Sequence, residues 1–343
     1  MIFAFAWQKN ANALRRQKLT SVEVCKRNSF RHCGILLKIA VKWQKDSKFA
    51  ASEFFKKGKV FMDGFVNILK PVGATASDVV VCVKYILHEK AGHLGTLDPG
   101  AAGVLPVAVG RATRLFNFLT DKVKYYRAYF TFGKTTDTLD SYGTVTATGS
   151  VPTERQLQDA LQRLTGEIQQ IPPAYSAISV GGVKAYKLAR NGEEVQLNAR
   201  KVCVHQFSLL RRHSADTFVF DIKCSAGTYI RTLAQDLAAL CGTVGYMSCL
   251  IRLQSGCFEI ENAYTLDELR EKKEKCVLDV TYPLQDVETC VLPDSLYDDL
   301  DCGRKIVCPF EDGYRRIFCK GEFFGLATNC NGLLKLQYYM KNM

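Results

Sequence analysis

The run Gly92-His93-Leu94-Gly95-Thr96-Leu97-Asp98-Pro99-Gly100, continuing to Gly103-Val104-Leu105-Pro106, is the densest cluster of glycine, proline and ionisable residues in the chain. Asp98-Pro99-Gly100 is by itself a turn signal. Four glycines around one carboxylate and one imidazole exceed what a connection needs, since each lets backbone come close to a bound group. Upstream, Ser77 is read as the cap of a helix whose Val79, Val83, Ile86 and Leu87 share one face. Downstream, Tyr125 to Phe132 alternates as a strand does. Thr153 with Gln156 forms a capping box for a helix burying Leu157, Leu161 and Leu164, ended by Gly166.

Farther on, the Gly181-Gly182 turn leads into a short helix from Ala185 to Arg190 that Asn191-Gly192 closes. Strands near Lys201 to Leu209 and Phe218 to Cys224 precede a helix around Leu233, Leu237 and Leu240 closed by Gly242, and Thr265 with Glu268 caps one more. Strands and helices mixed without regular βαβ spacing favour an α+β core over a doubly wound sheet. After about Val291, short strands separated by Lys320-Gly321 and Asn331-Gly332 turns read as a small β domain.

The chain has 343 residues, 47% hydrophobic and 23% charged, enough for one large domain and a small one. Disorder, collagen and coiled coil are excluded by that composition. No apolar run reaches the roughly 20 residues needed to cross a bilayer, and Ile2 to Trp7 is too short for a secretory core. These features predict a cytoplasmic protein with no membrane partner. Its 14 cysteines are scattered along a long chain and are read as reduced thiols.

Of the net charge of +12, residues 1–61 supply most, with 14 Lys/Arg against 3 Asp/Glu; the rest of the chain holds 32 against 31. A nucleic-acid site in the body must therefore be a local basic face. Trp7 and Trp43, the two tryptophans, also lie before Met62. Residues 1–61 are read first as a translated ribosome-binding region ahead of a true start at Met62, second as a basic RNA-contacting arm, third as a transit peptide. The expected organisation is a 1–61 leader, a 62–290 catalytic domain and a 291–343 β domain.

Cofactor chemistry finds no support in the motifs. Gly133-Lys134-Thr135 lacks the first glycine of a phosphate loop, which would fall at Ala128, and no G-x-G-x-x-G follows the first strand. There is no H-E-x-x-H or C-x-x-C, and the spacing of Cys302, Cys308, Cys319 and Cys330 fits no zinc motif. His88, His205 and His213 have no partner at catalytic spacing. The expectation is a reaction run by side chains alone, with no metal and no cofactor.

The Gly92–Gly100 stretch resembles the catalytic motif of the TruB family of tRNA pseudouridine synthases. Asn67-Ile68-Leu69-Lys70-Pro71 with Gly73 resembles that family's opening. Tyr125-Tyr126-Arg127, then Gly133 and Thr136-Asp137-Thr138 with Asp140, resembles its second motif. Pro172-Pro173-Ala174-Tyr175-Ser176-Ala177 through Gly182, Tyr186 and Ala189-Arg190 resembles its third, and Gly227-Thr228-Tyr229-Ile230-Arg231-Thr232 its fourth. Leu250, Arg252 and Ser255-Gly256 resemble the end of the catalytic domain. The ordered match runs from about Asp63 to Glu261.

The resemblance implies a pseudouridine synthase fold, a mixed, mainly antiparallel sheet with flanking helices, followed by a small PUA-like β domain. It implies isomerisation of uridine to pseudouridine at position 55 in the T-loop of tRNA, by a monomer that needs no guide RNA. Asp98 is implied as the nucleophile, attacking either sugar or base, with Arg231 beside it favouring the charged carboxylate. Tyr126 is implied to stack the flipped uracil, Tyr229 to lie at the reacting base with a role in proton handling at carbon 5, and Leu250 to form an apolar wall. His93 is implied to fill the space the nucleotide leaves, and Lys70 to belong to the substrate-binding set. On their own, the tyrosines read as strand packing and Arg231 as a surface ion pair or helix-start contact.

This sequence departs from the family at several places. Leu94 stands where Thr is usual, Ser179 where Lys is common, and Ile251, Leu253 and Gln254 where basic or polar residues are frequent. The lost charge predicts weaker tRNA binding. A non-catalytic tRNA-binding or tRNA-folding protein and a guide-dependent ribonucleoprotein synthase are the alternatives.

Overall fold

The computed structural model describes residues 62–120 and 122–341, and the three readings of residues 1–61 lie outside the described residues. Strand β1 (Gly64–Lys70) leads to helix α1 (Ala76–Leu87), β2 (Ala91–His93), the glycine-rich loop and β3 (Ala102–Val109). Helix α2 (Phe116–Leu119) precedes β4 (Lys124–Phe132), the hairpin of β5 (Lys134–Thr136) and β6 (Val145–Thr148), and α3 (Glu154–Arg163). Then come β7 (Gly166–Gln170), the hairpin of β8 (Ser179–Val180) and β9 (Val183–Lys184), α4 (Ala185–Arg190), β10 (Arg200–Arg212) and β11 (Thr217–Cys224). Helix α5 (Ile230–Leu240), β12 (Gly245–Ser255), β13 (Phe258–Glu259) and α6 (Leu266–Lys272) follow.

A nine-stranded sheet runs β1-β3-β12-β4-β11-β10-β7, with β2 beside β3 and β13 beside β12. Its pairs are antiparallel except β12 with β3, the join between the two halves. At that join Gly103 faces Arg252 with φ +111°, and a Cβ there would stand 2.2 Å from the Arg252 carbonyl oxygen. Only glycine lets the two strands meet. The sheet is therefore α+β in kind, mixed but mainly antiparallel.

Period-two alternation on β4 sends Tyr126, Ala128, Phe130 and Phe132 into one core with Val79 and Val83 of α1, Leu157 and Leu161 of α3, and Leu233 and Leu237 of α5. Aromatic contacts tie neighbouring strands of the sheet, with the centroids of Phe130 on β4 and Phe220 on β11 4.9 Å apart. The boxes at Thr153–Gln156 and Thr265–Glu268 form as read. Helix α1 differs. Its cap is Thr75, in a capping box with Asp78, and Ser77 sits inside the first turn. The Asp78 carboxylate reaches back to the Thr75 N–H, a second bond that a cap at Ser77 would lack.

The C-terminal part holds a five-stranded sheet of β14 (Thr289–Val291), β15 (Ile306–Val307), β16 (Gly313–Cys319), β17 (Glu322–Cys330) and β18 (Leu333–Tyr339), with helix α7 (Tyr297–Asp301) beside it. Both expected turns join its strands. Lys320-Gly321 and Asn331-Gly332 all have positive φ, the conformation of a tight antiparallel hairpin. Its Leu326 and Met340 share a second core with Phe65, Leu94, Val104 and Leu115 behind the large sheet. Leu94, at the position where a threonine is usual, thus packs as core. No described helix is long and apolar enough to cross a membrane.

Candidate active site

The loop between β2 and β3 is pinned at several points. The Leu94 N–H donates to the Pro106 carbonyl at 2.8 Å, the Gly73 N–H to Pro99 at 2.8 Å, and the Ala101 N–H to Asp98 at 3.0 Å, which closes the turn the sequence announces. Against Gly100 lies the Tyr142 ring, so close that a Cβ would fall 2.3 Å from it. The Asp98 side chain, at the first position of that turn, stays 35% exposed. It is held in place yet accessible from solvent.

Arg231 comes from the second residue of α5 and is 6% exposed in its side chain. Its Nε stands 3.0 Å from Oδ2 of Asp98, as a charge contact without an aligned hydrogen bond. The other nitrogens fix the guanidinium: Nη1 donates to the Thr138 carbonyl at 3.1 Å and Nη2 to that of Tyr175 at 2.9 Å. Those carbonyls belong to two of the quoted motifs. Thr138 sits in a turn built by its own hydroxyl on Asp140 Oδ1 at 2.6 Å and by the Thr136 hydroxyl on the Asp140 carbonyl at 2.7 Å. The Thr/Asp-rich sequence makes this turn, and its product is an acceptor for the arginine.

Two more cations lie beneath the loop. Lys70, at the end of β1, is fully buried, its Nζ donating to the carbonyls of Pro71 at 2.9 Å, Ala74 at 2.6 Å and Pro99 at 3.4 Å. Burial lowers its pKa to about 7, with Asp98 opposing the shift and Arg252 adding to it. Lys70, expected in the substrate-binding set, holds the loop through these carbonyls and reaches Asp98 only electrostatically. Arg252 on β12 is 1% exposed. It donates from Nε to Val104 at 2.7 Å, from Nη1 to Thr96 at 3.3 Å and from Nη2 to Gly95 at 3.2 Å.

Tyr126 is buried on β4 beside the Arg252 guanidinium and feels the Asp98 charge, and burial pushes its phenol pKa up. A neutral aromatic face near the carboxylate suits stacking of a planar base. Leu250 lies in the same core as Tyr126 and Leu97. His93, half-buried on β2, has its pKa lowered by burial and then by Arg252, so its ring is neutral at pH 7. Its Nδ1 is buried without a hydrogen-bond partner.

Tyr229 stands at the N-cap of α5, two residues before Arg231, with its ring under the Arg200 guanidinium at 4.7 Å. The structure thus gathers Asp98, Arg231, Lys70 and Tyr126 around one loop, with His93 linked through Arg252, and places Tyr229 on the helix start that carries Arg231. Sequence reasoning quoted Arg252 but gave it no place in the site; a basic residue inside an apolar strand was the available signal. Of the cysteines considered for metal, Cys308 and Cys319 are buried and Cys302 and Cys330 exposed. Among the described residues, no group of three or more His, Cys, Asp or Glu side chains is placed to hold a metal ion.

Two family descriptions match the chain. "TruB family pseudouridylate synthase (N terminal domain)" covers residues 84–230, and "tRNA pseudouridylate synthase B C-terminal domain" covers residues 231–293. The sequence is 47% identical over 215 residues to the tRNA pseudouridine synthase B of Caldanaerobacter subterraneus subsp. tengcongensis, covering 62% of this chain and 75% of the relative. It is 46% identical over 217 residues to that of Symbiobacterium thermophilum, covering 62% and 73%. Among solved structures, a chain of a Cbf5-Nop10-Gar1 complex superposes with a TM-score of 0.60 at 27% identity, over 77% of this chain and 78% of that one.

Proposed function

The chain belongs to the TruB family of pseudouridylate synthases, and on that premise we propose that it converts uridine to pseudouridine at position 55, in the T-loop of tRNA, with Asp98 as the nucleophile. The observation that carries the reading is the contact of Arg231 Nε with Asp98 Oδ2 at 3.0 Å, made by a guanidinium that two carbonyls from separate motifs hold in place. A buried cation so fixed stands beside the reacting carboxylate without the cost of reorganising water at the moment of reaction.

The reaction breaks the bond from the ribose C1′ to uracil N1, turns the base and joins C1′ to C5. The C5 proton leaves and N1 gains one, so nothing is oxidised and no atom is lost. Asp98 forms the covalent link that holds the intermediate, on sugar or base. Leaving the RNA stack costs the uridine a few kcal/mol, which stacking on Tyr126 against the Leu250 wall offsets. His93, neutral at the loop's edge, occupies the place the nucleotide vacates. Tyr229 handles the proton at C5. Lys70 and Arg252 hold the loop from below.

The enzyme acts as a cytoplasmic monomer on the T-arm alone, without guide RNA or cofactor. Residues 62–290 form its catalytic domain and 291–343 a PUA-like domain. The test is incubation of the purified full chain with an unmodified T-stem-loop transcript and a chelator, followed by nucleoside mapping. Conversion of the uridine at position 55, and not of its T-loop neighbours, is expected, and Asp98→Asn should bind the RNA while losing about three orders of magnitude or more in rate. A wild-type chain that binds and converts nothing would leave the tRNA-binding alternative standing. Activity only with an added guide would favour the ribonucleoprotein reading.

A further inference from the structure

Two residues with no assigned part in the reaction converge on Tyr229. Gln170 closes β7 and Arg200 opens β10, and they stand opposite each other as the last rung of that edge ladder. Gln170 is buried. Its Oε1 accepts from the Tyr229 N–H at 2.7 Å, and its Nε2 donates to the Tyr229 carbonyl at 3.1 Å. Across the rung, Arg200 lays its guanidinium over the Tyr229 ring at 4.7 Å and donates through Nη2 to the Gly227 carbonyl.

The grip falls where local sequence provides none. Tyr229 caps α5 without any side-chain hydrogen bond of its own, and its carbonyl begins the helix by accepting from Leu233 at 3.1 Å. One amide bonded to both polar groups of one residue fixes the peptide planes on either side of it. A cation over the ring favours one ring orientation above the others. Arg200 Nε is buried with no hydrogen-bond partner, so the side chain bears a desolvation cost in this position. Packing at a sheet edge alone would call for neither the guanidinium nor the paired amide.

We propose that the Gln170–Arg200 rung is a positioning device for the reaction. It holds the Tyr229 ring in its working orientation and, through the start of α5, sets Arg231 against Asp98. The inference rests on the reading of Tyr229 as an active-site residue. Neither Gln170 nor Arg200 touches the reacting atoms; both act through Tyr229.

The experiment measures single-turnover pseudouridine formation and transcript dissociation constants with the full chain. Gln170→Ala and Arg200→Met should each slow the chemical step about 10- to 100-fold while changing RNA affinity less than about threefold. Arg200→Lys, which keeps a cation over the ring, should recover part of the loss. In a Tyr229→Ala background Arg200→Met should cost nothing further. Equal slowing by Arg200→Met with and without the Tyr229 ring, or a loss wholly in RNA affinity, overturns the proposal. Wild-type rates for Tyr229→Ala would instead remove the role given to Tyr229, and the rung's role with it. If Gln170→Ala proves too unstable to assay, the half-buried Arg200 variants decide the matter alone.

Discussion

Around Asp98 the cations Lys70, Arg231 and Arg252 are buried and donate to backbone carbonyls, whereas beside the C-terminal sheet Arg304 meets the Asp299 carboxylate at 2.7 Å with 69% and 38% of the two side chains exposed. Among the described residues neither Lys70 nor Arg252 has a carboxylate within ion-pair distance. Water screens the Arg304 pair and leaves it little to decide. The buried cations are unscreened, and their positions are set by the loops that supply the carbonyls. Charge thus shapes the loop around Asp98, whereas the Arg304–Asp299 pair only decorates the surface it lies on.

The sharpest way to break this contrast is Arg252→Met. Three charge-assisted donations, each worth about 1.5–3 kcal/mol, are lost, and relief of the buried charge offsets part of them, leaving a net loss of about 3 kcal/mol. Urea unfolding should read that loss, with conversion falling about 100-fold as the Gly95–Thr96 segment loosens. A variant within 1 kcal/mol of the wild type on the order-of-magnitude scale of such bonds would mean that the guanidinium does not organise the loop.

Lys70 offers a pH test of the same region. Its pKa is about 7 in the folded chain against an ordinary 10.5, so between these values the unfolded chain holds more protons and stability rises with pH. Lys70→Met lacks this dependence. The stability difference should therefore shift towards the wild type by up to about 1.4 kcal/mol per pH unit as pH rises through the lower part of that window. Parallel curves for the two chains would contradict the buried, depressed lysine. At the other extreme, Arg304→Ala should move the thermal midpoint by no more than about 1 °C. A large drop there would erase the difference between the regions.

Legibility follows the same divide. The Lys320-Gly321 and Asn331-Gly332 turns and the Thr153–Gln156 and Thr265–Glu268 boxes were readable because their partners lie within a few residues. Helix α1 was read with its cap at Ser77 because Ser and Thr both qualify there, and the choice fell to Asp78, whose carboxylate completes a box with Thr75. The tyrosines alternated correctly on β4, yet alternation does not say whether a buried ring serves packing or a substrate. Resemblance to known motifs supplied Asp98 and Arg231. It also supplied Lys70 as a member of the substrate-binding set, but nothing local shows that this lysine is buried.

By itself the sequence determined the Thr153 and Thr265 capping boxes, the hairpin turns, the α+β alternation and the turn that opens at Asp98, since each depends on interactions a few residues long. Only the tertiary structure decided which cations surround that carboxylate. Arg252 finds Gly95 and Thr96 from 157 and 156 residues away, and Arg231 finds Thr138 and Tyr175 from 93 and 56. The strength of a charge depends on the solvent removed around it, and that removal is accomplished by the whole sheet closing at the β3–β12 join.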